Sequence, residues 1–279
     1  MNRATLIIVA CIMVAPFLLM LSGSVQNLLG AGQNVGAVMH VIPRKLTLSN
    51  YVDILGLEGF TVSIINSAVL VAGYIIPAII VNGLAAYAFV FYKFRWKNVL
   101  FLIAMASVFF PSTSILIPRY LTMRIAGIQG FPAVLIMSAF WAQGLFLFRN
   151  YFHSIPMSLV ESARIDGAGD WTIFSRIVLP MSKPIIGAAI VFQGMAALGD
   201  YLWQLVNLTL PWQEPMIIRL YLSIHERLNS FRRYNGSVQF TDFGYSLAVG
   251  TMIALPMILI FMFGSRYFIS DLAAGAIKE

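Results

Sequence analysis

Pro156-Met-Ser-Leu-Val-Glu161-Ser-Ala-Arg-Ile-Asp166-Gly167-Ala-Gly-Asp170-Trp-Thr-Ile-Phe174-Ser-Arg-Ile-Val-Leu179-Pro180-Met-Ser-Lys183 separates two long apolar runs, and its reading decides the fold. Ser158 followed by Glu161 has the spacing of a capping box and predicts a helix start. Leu159, Ala163 and Asp166 ride on that short helix. Gly167 and Gly169 end it, one of them in the left-handed conformation that glycine adopts without penalty. Asp170 is placed to cap a second helix, whose apolar face is Trp171, Phe174, Ile177 and Val178. Leu179-Pro180 then closes that helix before the next apolar run. Two short helices joined at a glycine corner move as a body and transmit force, where a flexible linker would absorb it.

Working outward, the chain is 59% hydrophobic and 10% charged over 279 residues. Soluble domains carry about 25% charged residues, so lipid is the solvent this composition suits. Six runs are long and apolar enough to span, at 5–29, 62–92, 99–118, 130–150, 184–209 and 244–268. Each is close to the ~20 residues a helix needs to cross the hydrocarbon core. In lipid every backbone polar group must be paired within the protein, so these runs predict helices rather than open strands. The run at 5–29, behind Arg3, is longer than a signal-peptide core and lacks a clean small-residue cleavage site. It reads as a retained anchor.

The gaps differ in kind. Residues 30–60 form a polar loop with Pro43-Arg44-Lys45 and a short amphipathic stretch around Tyr51–Leu57. Lys93-Phe94-Arg95-Trp96-Lys97 is a tight basic turn, and 210–243 is a polar loop. The formal charge of +7 is spread among the gaps rather than gathered in a patch, which fits membrane edges better than a nucleic acid. With both termini cytoplasmic, Lys and Arg are in modest excess inside, although Arg119 and Arg124 fall in a short outer connection. Cys11, the one cysteine, excludes an internal disulfide and reads as apolar packing. His40, His153 and His225 lack companions at metal-ligand spacing. No Gly-x-x-x-x-Gly-Lys-Ser/Thr occurs, so no P-loop binds ATP on this chain. No metal or cofactor is expected here.

Glu161-Ser-Ala163-Arg-Ile-Asp166-Gly167-Ala168, followed by Phe174 and Leu179-Pro180, resembles the "EAA" loop of importer permeases of the ATP-binding-cassette superfamily, with Ser162 in place of the middle alanine. The likeness extends to Asn66-Ser67, Ala85-Ala-Tyr87-Ala88-Phe89, Lys93-Phe94-Arg95, Ile117-Pro118, Asp200-Tyr-Leu-Trp203, Arg266-Tyr-Phe268 and Gly275-Ala276-Ile277-Lys278. These resemble the shorter, six-span permease of the maltose-type carbohydrate class. Leu198, Gly199 and Gln204 depart from the pattern of many relatives, as do the final Glu279 and a longer loop around 226–243.

The resemblance implies an all-helical membrane protein with the type I importer permease fold. Residues 1–60 are then an anchor helix and outer loop, and 61–279 a permease core containing the coupling segment 156–183. It implies an inner-membrane subunit that forms half of a sugar importer's pore and is not itself an enzyme. Its partners would be a second, different permease, two cytoplasmic ATPase subunits carrying ATP and magnesium, and an extracytoplasmic binding protein. Glu161, Ala163, Asp166, Gly167 and Ala168 would couple to the ATPase, with Glu161 and Asp166 also open to purely local capping. Trp171 and Phe174 are expected to pack against the inner ends of the spans. The tail Gly275–Glu279 would contact the ATPases or fray. Asp200, Tyr201, Trp203 and Gln204 are candidates for a substrate path, although an acid there is equally at home hydrated at the outer interface. A cargo such as a glycerol phosphoester, polyol or uronate oligomer is the rival within transport. A membrane enzyme would need catalytic groups clustered at one depth, where only Asp200 is found. A sensor or scaffold borrowing the elbow is the third rival.

Overall fold

The computed structural model describes residues 3–28, 39–235 and 242–275, and side chains within these except at 3, 228–235 and 265–275. Among the described residues the regular secondary structure is all helical, without a strand. Its helices are α1 (Arg3–Ser24), α2 (Ser49–Leu55), α3 (Phe60–Phe91), α4 (Lys97–Ala106), α5 (Leu116–Ile125), α6 (Phe131–Ala139), α7 (Ala142–Phe152) and α8 (Met157–Ile165). Then follow α9 (Asp170–Met181), α10 (Lys183–Gly199), α11 (Tyr201–Asn207), α12 (Met216–Asn235) and α13 (Phe243–Gly275). The expected tail contact at the last four residues lies outside the described residues.

Four stretches are long and apolar enough to cross a membrane: Ala4–Ser24, Phe60–Phe91, Phe131–Phe152 and Phe243–Gly264. A fifth is obtained if α9 and α10, which meet at 82°, count as one bent span. The expected third span at 99–118 is instead a short apolar helix over Lys97–Phe109, a turn, and α5. At 1.5 Å per residue that helix reaches about 20 Å, short of the ~30 Å hydrocarbon core. Pro111 accounts for the interruption. It drives Phe110 into an extended conformation (ψ 123°), as residues before proline prefer.

Residues 1–66 and 214–256 pack as one compact unit, and 67–213 with 257–279 as another. In the first, Ile54, Phe60, Met216, Leu220, Tyr245, Ala248 and Val249 form the core. The stretch expected as a polar loop at 210–243 contains α12. Its apolar face is carried by Met216, Leu220 and Ile224 at i, i+4, i+8, diluted by Arg219, Ser223 and Arg227 between them. Arg227 donates a hydrogen bond to Asp53 at 2.7 Å and forms an ion pair with Asp242 at 3.0 Å, with its guanidinium 4.4 Å from the Tyr245 ring centroid. Asp242 Oδ1 accepts the Tyr245 N–H at 3.1 Å and so caps α13.

In the second unit, the core gathers the second half of α3, α7, the α8–α9 elbow and α10 around Tyr87, Phe148, Phe152, Ile173 and Phe174. Helices α10 and α13 approach closely through glycine. A Cβ on Gly264 would come within 2.0 Å of Val191 Cγ2, and one on Gly194 within 3.1 Å of Ile260. Small residues at such contacts are how helices associate in lipid, where hydrophobic driving force between them is absent.

Candidate functional site

The elbow begins at α8. Its N-cap is Pro156, with no side-chain cap bond. Ser158 and Glu161 therefore sit inside the helix, and the expected capping box is not formed. Pro156 lacks an N–H and has a fixed φ of −58°, so the helix starts one residue later without side-chain help. At the other end, the Ala168 N–H donates to the Ala163 carbonyl at 2.9 Å and the Gly167 N–H to the Arg164 carbonyl at 3.0 Å. This pair of bonds, with Gly167 at φ +82°, is a Schellman closure. The left-handed residue is thus Gly167 and not Gly169, which is extended (φ −70°, ψ 158°) and N-caps α9.

Asp170 is accordingly the first residue of α9 and not its cap. Its carboxylate is occupied elsewhere: Tyr87 Oη donates to Oδ1 at 3.2 Å and Arg164 Nη2 to the same oxygen at 3.4 Å. The Arg164 guanidinium also lies 5.1 Å from the Tyr92 ring centroid. These contacts tie both arms of the elbow to the Phe91 end of α3. Hydrogen bonding with Tyr92 first, then with Tyr87 and Arg164, outweighs partial burial and holds the Asp170 carboxyl below its ordinary value of 3.8. A depressed carboxyl contributes its full stabilisation above the unfolded pKa and loses it only as pH falls through the lower folded value. The brace is therefore complete from pH 5 to 8. Uptake by wild type and Asp170→Asn transporter should show parallel pH profiles over that range. An inflection there that vanishes in the variant would contradict this assignment.

Leu179-Pro180 does not end α9. The helix widens into a π turn over Phe174–Val178 and continues to Met181. Proline has no N–H for the carbonyl four residues back and its ring crowds that carbonyl; a wider turn relieves both. The chain turns through 82° at Ser182, whose Oγ donates to the Val178 carbonyl at 2.6 Å. Phe174 is buried, 5.8 Å from the Tyr87 ring, and seats on Gly83, where a Cβ would meet its ring at 3.3 Å. Trp171, expected beside it in the interior, is 63% exposed.

The elbow thus has two faces. Ala163, Ala168, Phe174 and Val178 pack inward. Glu161, Ile165, Asp166 and Gly167 lie exposed, with Ile165 at 86%. Among the described residues neither Glu161 nor Asp166 has an ion-pair partner.

The other candidate residues surround a helix break. Helix α10 stops at Gly199, Asp200 leaves helical geometry (ψ 55°), and α11 restarts at Tyr201. Tyr74 Oη donates to Asp200 Oδ2 at 3.0 Å. The break frees the Ala197 carbonyl, and Gln204 Nε2 donates to it. A cavity of about 170 Å³ is lined by Ser112, Thr113, Arg119, Asp200, Tyr201 and Trp203 among others. Gln204 is fully buried behind it and serves the break. The Arg119 guanidinium stacks 4.4 Å from the Trp203 ring centroid, which occupies that ring. The indole N–H of Trp203 is buried without a partner among the described residues.

Several residues here escape sequence reasoning. Arg119, an isolated cation following an apolar run, joins the cavity. Asn82, an amide inside the apolar run of α3, bridges a second break. Its Nδ2 donates to the Ala139 carbonyl at 3.1 Å, and its Oδ1 accepts the Trp141 N–H at 3.1 Å. Those groups flank the extended Phe140 between α6 and α7. A polar side chain within an apolar run is the signal that marks such positions.

Residues 78–273 match the family model described as binding-protein-dependent transport system inner membrane component. A probable ABC transporter permease protein of Pyrococcus horikoshii is 30% identical over 86% of this chain and 84% of its own length. The arabinooligosaccharides transport system permease protein AraQ of Bacillus subtilis is 27% identical, over 88% and 83%. Among solved structures, a chain of a bacterial ABC transporter involved in import of the acidic polysaccharide alginate superimposes with a TM-score of 0.78. That likeness is at 24% identity and covers 96% of this chain and 95% of the other.

Proposed function

The chain belongs to the family of binding-protein-dependent transport system inner membrane components, and from that membership we propose that it is the permease subunit of an ATP-driven sugar importer, with oligosaccharides as cargo. It forms half of the translocation pore beside a second, different permease. Two cytoplasmic ATPase subunits supply the energy, and an extracytoplasmic binding protein delivers the sugar. The relative named for arabinooligosaccharides supports the cargo class.

The observation that carries the coupling role is the two-faced elbow, locked inward by Phe174 and Val178 and presenting Glu161, Ile165 and Trp171 outward. In this reading the exposed face seats in a cleft of the ATPase. Glu161 makes a charge-assisted contact with a basic residue there. Ala163 and Ala168 keep the corner slim, Asp166 braces it, and Gly167 makes the turn. Closure of the ATPases shifts the elbow as a body, and the attached helices switch between two packings. The cavity beside Asp200, Tyr201 and Trp203 lies on the sugar's path, with Arg119 as a hydrogen-bond donor.

A cysteine at Glu161, in a Cys11→Ser background, tests the docking. It is expected to crosslink to an ATPase subunit carrying a cysteine in its membrane-facing cleft, and to do so differently with and without ATP. No crosslink at any nucleotide state, in a complex that still assembles, would refute the assignment. Screening the associated binding protein against oligosaccharides, polyols and glycerol phosphoesters decides the cargo independently.

A further inference from the structure

The segment Val41-Ile42-Pro43-Arg44-Lys45-Leu46-Thr47-Leu48 has an unusual surface. Val41 is 72% exposed, Ile42 82%, Leu46 76% and Leu48 65%. Exposed aliphatic side chains scattered singly need no explanation, but four within eight residues form a patch.

The depth of this patch is fixed by hydrogen bonds to the end of α1. Ser22 Oγ donates to the carbonyls of His40 and Val41, at 3.0 and 2.7 Å. Gln26 is buried and pairs with the His40 backbone in both directions, Nε2 to the carbonyl at 2.7 Å and Oε1 from the N–H at 3.0 Å. The Thr47 N–H donates to the Val25 carbonyl at 2.8 Å. The segment is thus pinned at both ends to the last turn of a helix whose apolar window is wholly unburied by protein. A helix of that kind faces acyl chains, so its last turn marks the boundary between hydrocarbon and headgroups.

Between the exposed aliphatics stand Arg44 and Lys45, and among the described residues neither has an ion-pair partner. They border a concavity of about 520 Å³, lined also by Leu28, His40, Leu46 and Thr47. That volume falls within the range of small-molecule sites. Among the described residues no acidic side chain lines it. Cations at an apolar rim, at headgroup depth, complement one chemistry: a phosphate ester carrying aliphatic chains.

We propose that residues 40–47 form a binding site for an anionic phospholipid, with Arg44 and Lys45 on the headgroup phosphate and Ile42 and Leu46 against the upper methylenes. The shared chemistry with soluble phosphate is the oxyanion; the aliphatic rim assigns the site to lipid. Basic residues near a membrane surface are worth about fivefold each in affinity for anionic lipid, so removing both should cost on the order of 25-fold.

The test uses the intact transporter complex, titrated in detergent with phosphatidylglycerol or phosphatidylcholine and read by native mass spectrometry. Wild type should retain phosphatidylglycerol in preference to phosphatidylcholine. Arg44→Ala with Lys45→Ala should abolish that preference without changing subunit composition, and millimolar inorganic phosphate should not displace the lipid. Equal retention by the variant, or displacement by phosphate, overturns the proposal. So does unchanged retention accompanied by loss of binding-protein affinity, since that would make the patch a protein contact. Should the variant fail to assemble, photoactivatable phosphatidylglycerol on the wild type still decides: labelling must map to the peptide spanning 39–48, and labelling elsewhere alone refutes the site.

Discussion

Gly167→Pro is expected to reduce uptake by the reconstituted transporter about a hundredfold or more, with the subunit still assembled in its complex. The φ of +82° at Gly167 is closed to proline, whose ring holds φ near −65°. The substitution also removes the N–H that bonds Arg164 at 3.0 Å. A proline misplaced in this way costs about 3 kcal/mol or more, a factor of roughly 100 in the equilibrium constant for forming the native corner. Nothing lies within 4 Å of a Cβ at this position, so the effect is conformational and not steric. Gly167→Ala then isolates the backbone cost alone, about 1–2 kcal/mol for a left-handed non-glycine residue, and should lower uptake roughly 5- to 30-fold. Sugar-stimulated ATP hydrolysis should fall with uptake, because the elbow is the proposed path between them. Transport by Gly167→Pro at the wild-type rate would remove the rigid corner from the mechanism.

The elbow was legible because its decisive feature is local. Two glycines among polar residues between apolar runs can only be a corner, and the closing bonds from Gly167 and Ala168 involve residues within one turn. The same locality leaves its caps illegible. Ser158 and Asp170 are good caps by spacing, but Pro156 starts α8 earlier, and the Asp170 carboxylate is drawn to Tyr87 and Arg164, the former 83 residues away. The breaks within the spans are harder to see. Hydropathy averages over Phe110–Ile115, Phe140–Trp141 and Asp200 because their neighbours are apolar, and two of the side chains that pair at these breaks, Tyr74 at Asp200 and Asn82 around Phe140, are distant in sequence. Helix α12 was hidden by its own ion pairs, whose charged residues lowered the apolarity of a stretch with perfectly ordinary helical spacing.

Within the second unit, one continuous helix holds three irregular points. From α3, Tyr74 reaches Asp200 at the α10–α11 break, Asn82 reaches both sides of the α6–α7 break, and Tyr87 reaches Asp170 in the elbow. The outermost of these positions are 13 residues apart, about 20 Å along the helix. A broken span is tolerated in lipid only where something pairs the freed backbone groups. The same polar contacts are places where a helix bundle can have two arrangements, since a hydrogen bond to a side chain is exchanged more cheaply than a helical turn. Helix α3 therefore supplies a side-chain hydrogen bond to each of the three irregular segments.

The second large effect is expected at Asn82. Asn82→Leu keeps the branched heavy-atom skeleton of the side chain, with bulkier ends, and leaves the Ala139 carbonyl and the Trp141 N–H without their partner. Each unsatisfied buried group costs about 1–3 kcal/mol. Side-chain hydrogen bonds between membrane helices average less, about 0.6 kcal/mol, because the separated helices find other partners. At Phe140 that escape is narrow: the backbone is extended (φ −91°, ψ 122°), and the side chain completing it comes from a different helix. A loss of about 2–4 kcal/mol follows, which lowers the midpoint of thermal unfolding by about 5–15 °C. Asn82→Asp should be worse than Asn82→Leu. It retains an acceptor for Trp141 but places a carboxylate against the Ala139 and Ala78 carbonyls at a fully buried site. Thermal unfolding of the purified complex, followed by intrinsic fluorescence, gives the order directly. Equal midpoints for wild type and both variants would show that the break in this span stands without Asn82, and that its conformation is set by the packing of Trp141 on Gly144 instead.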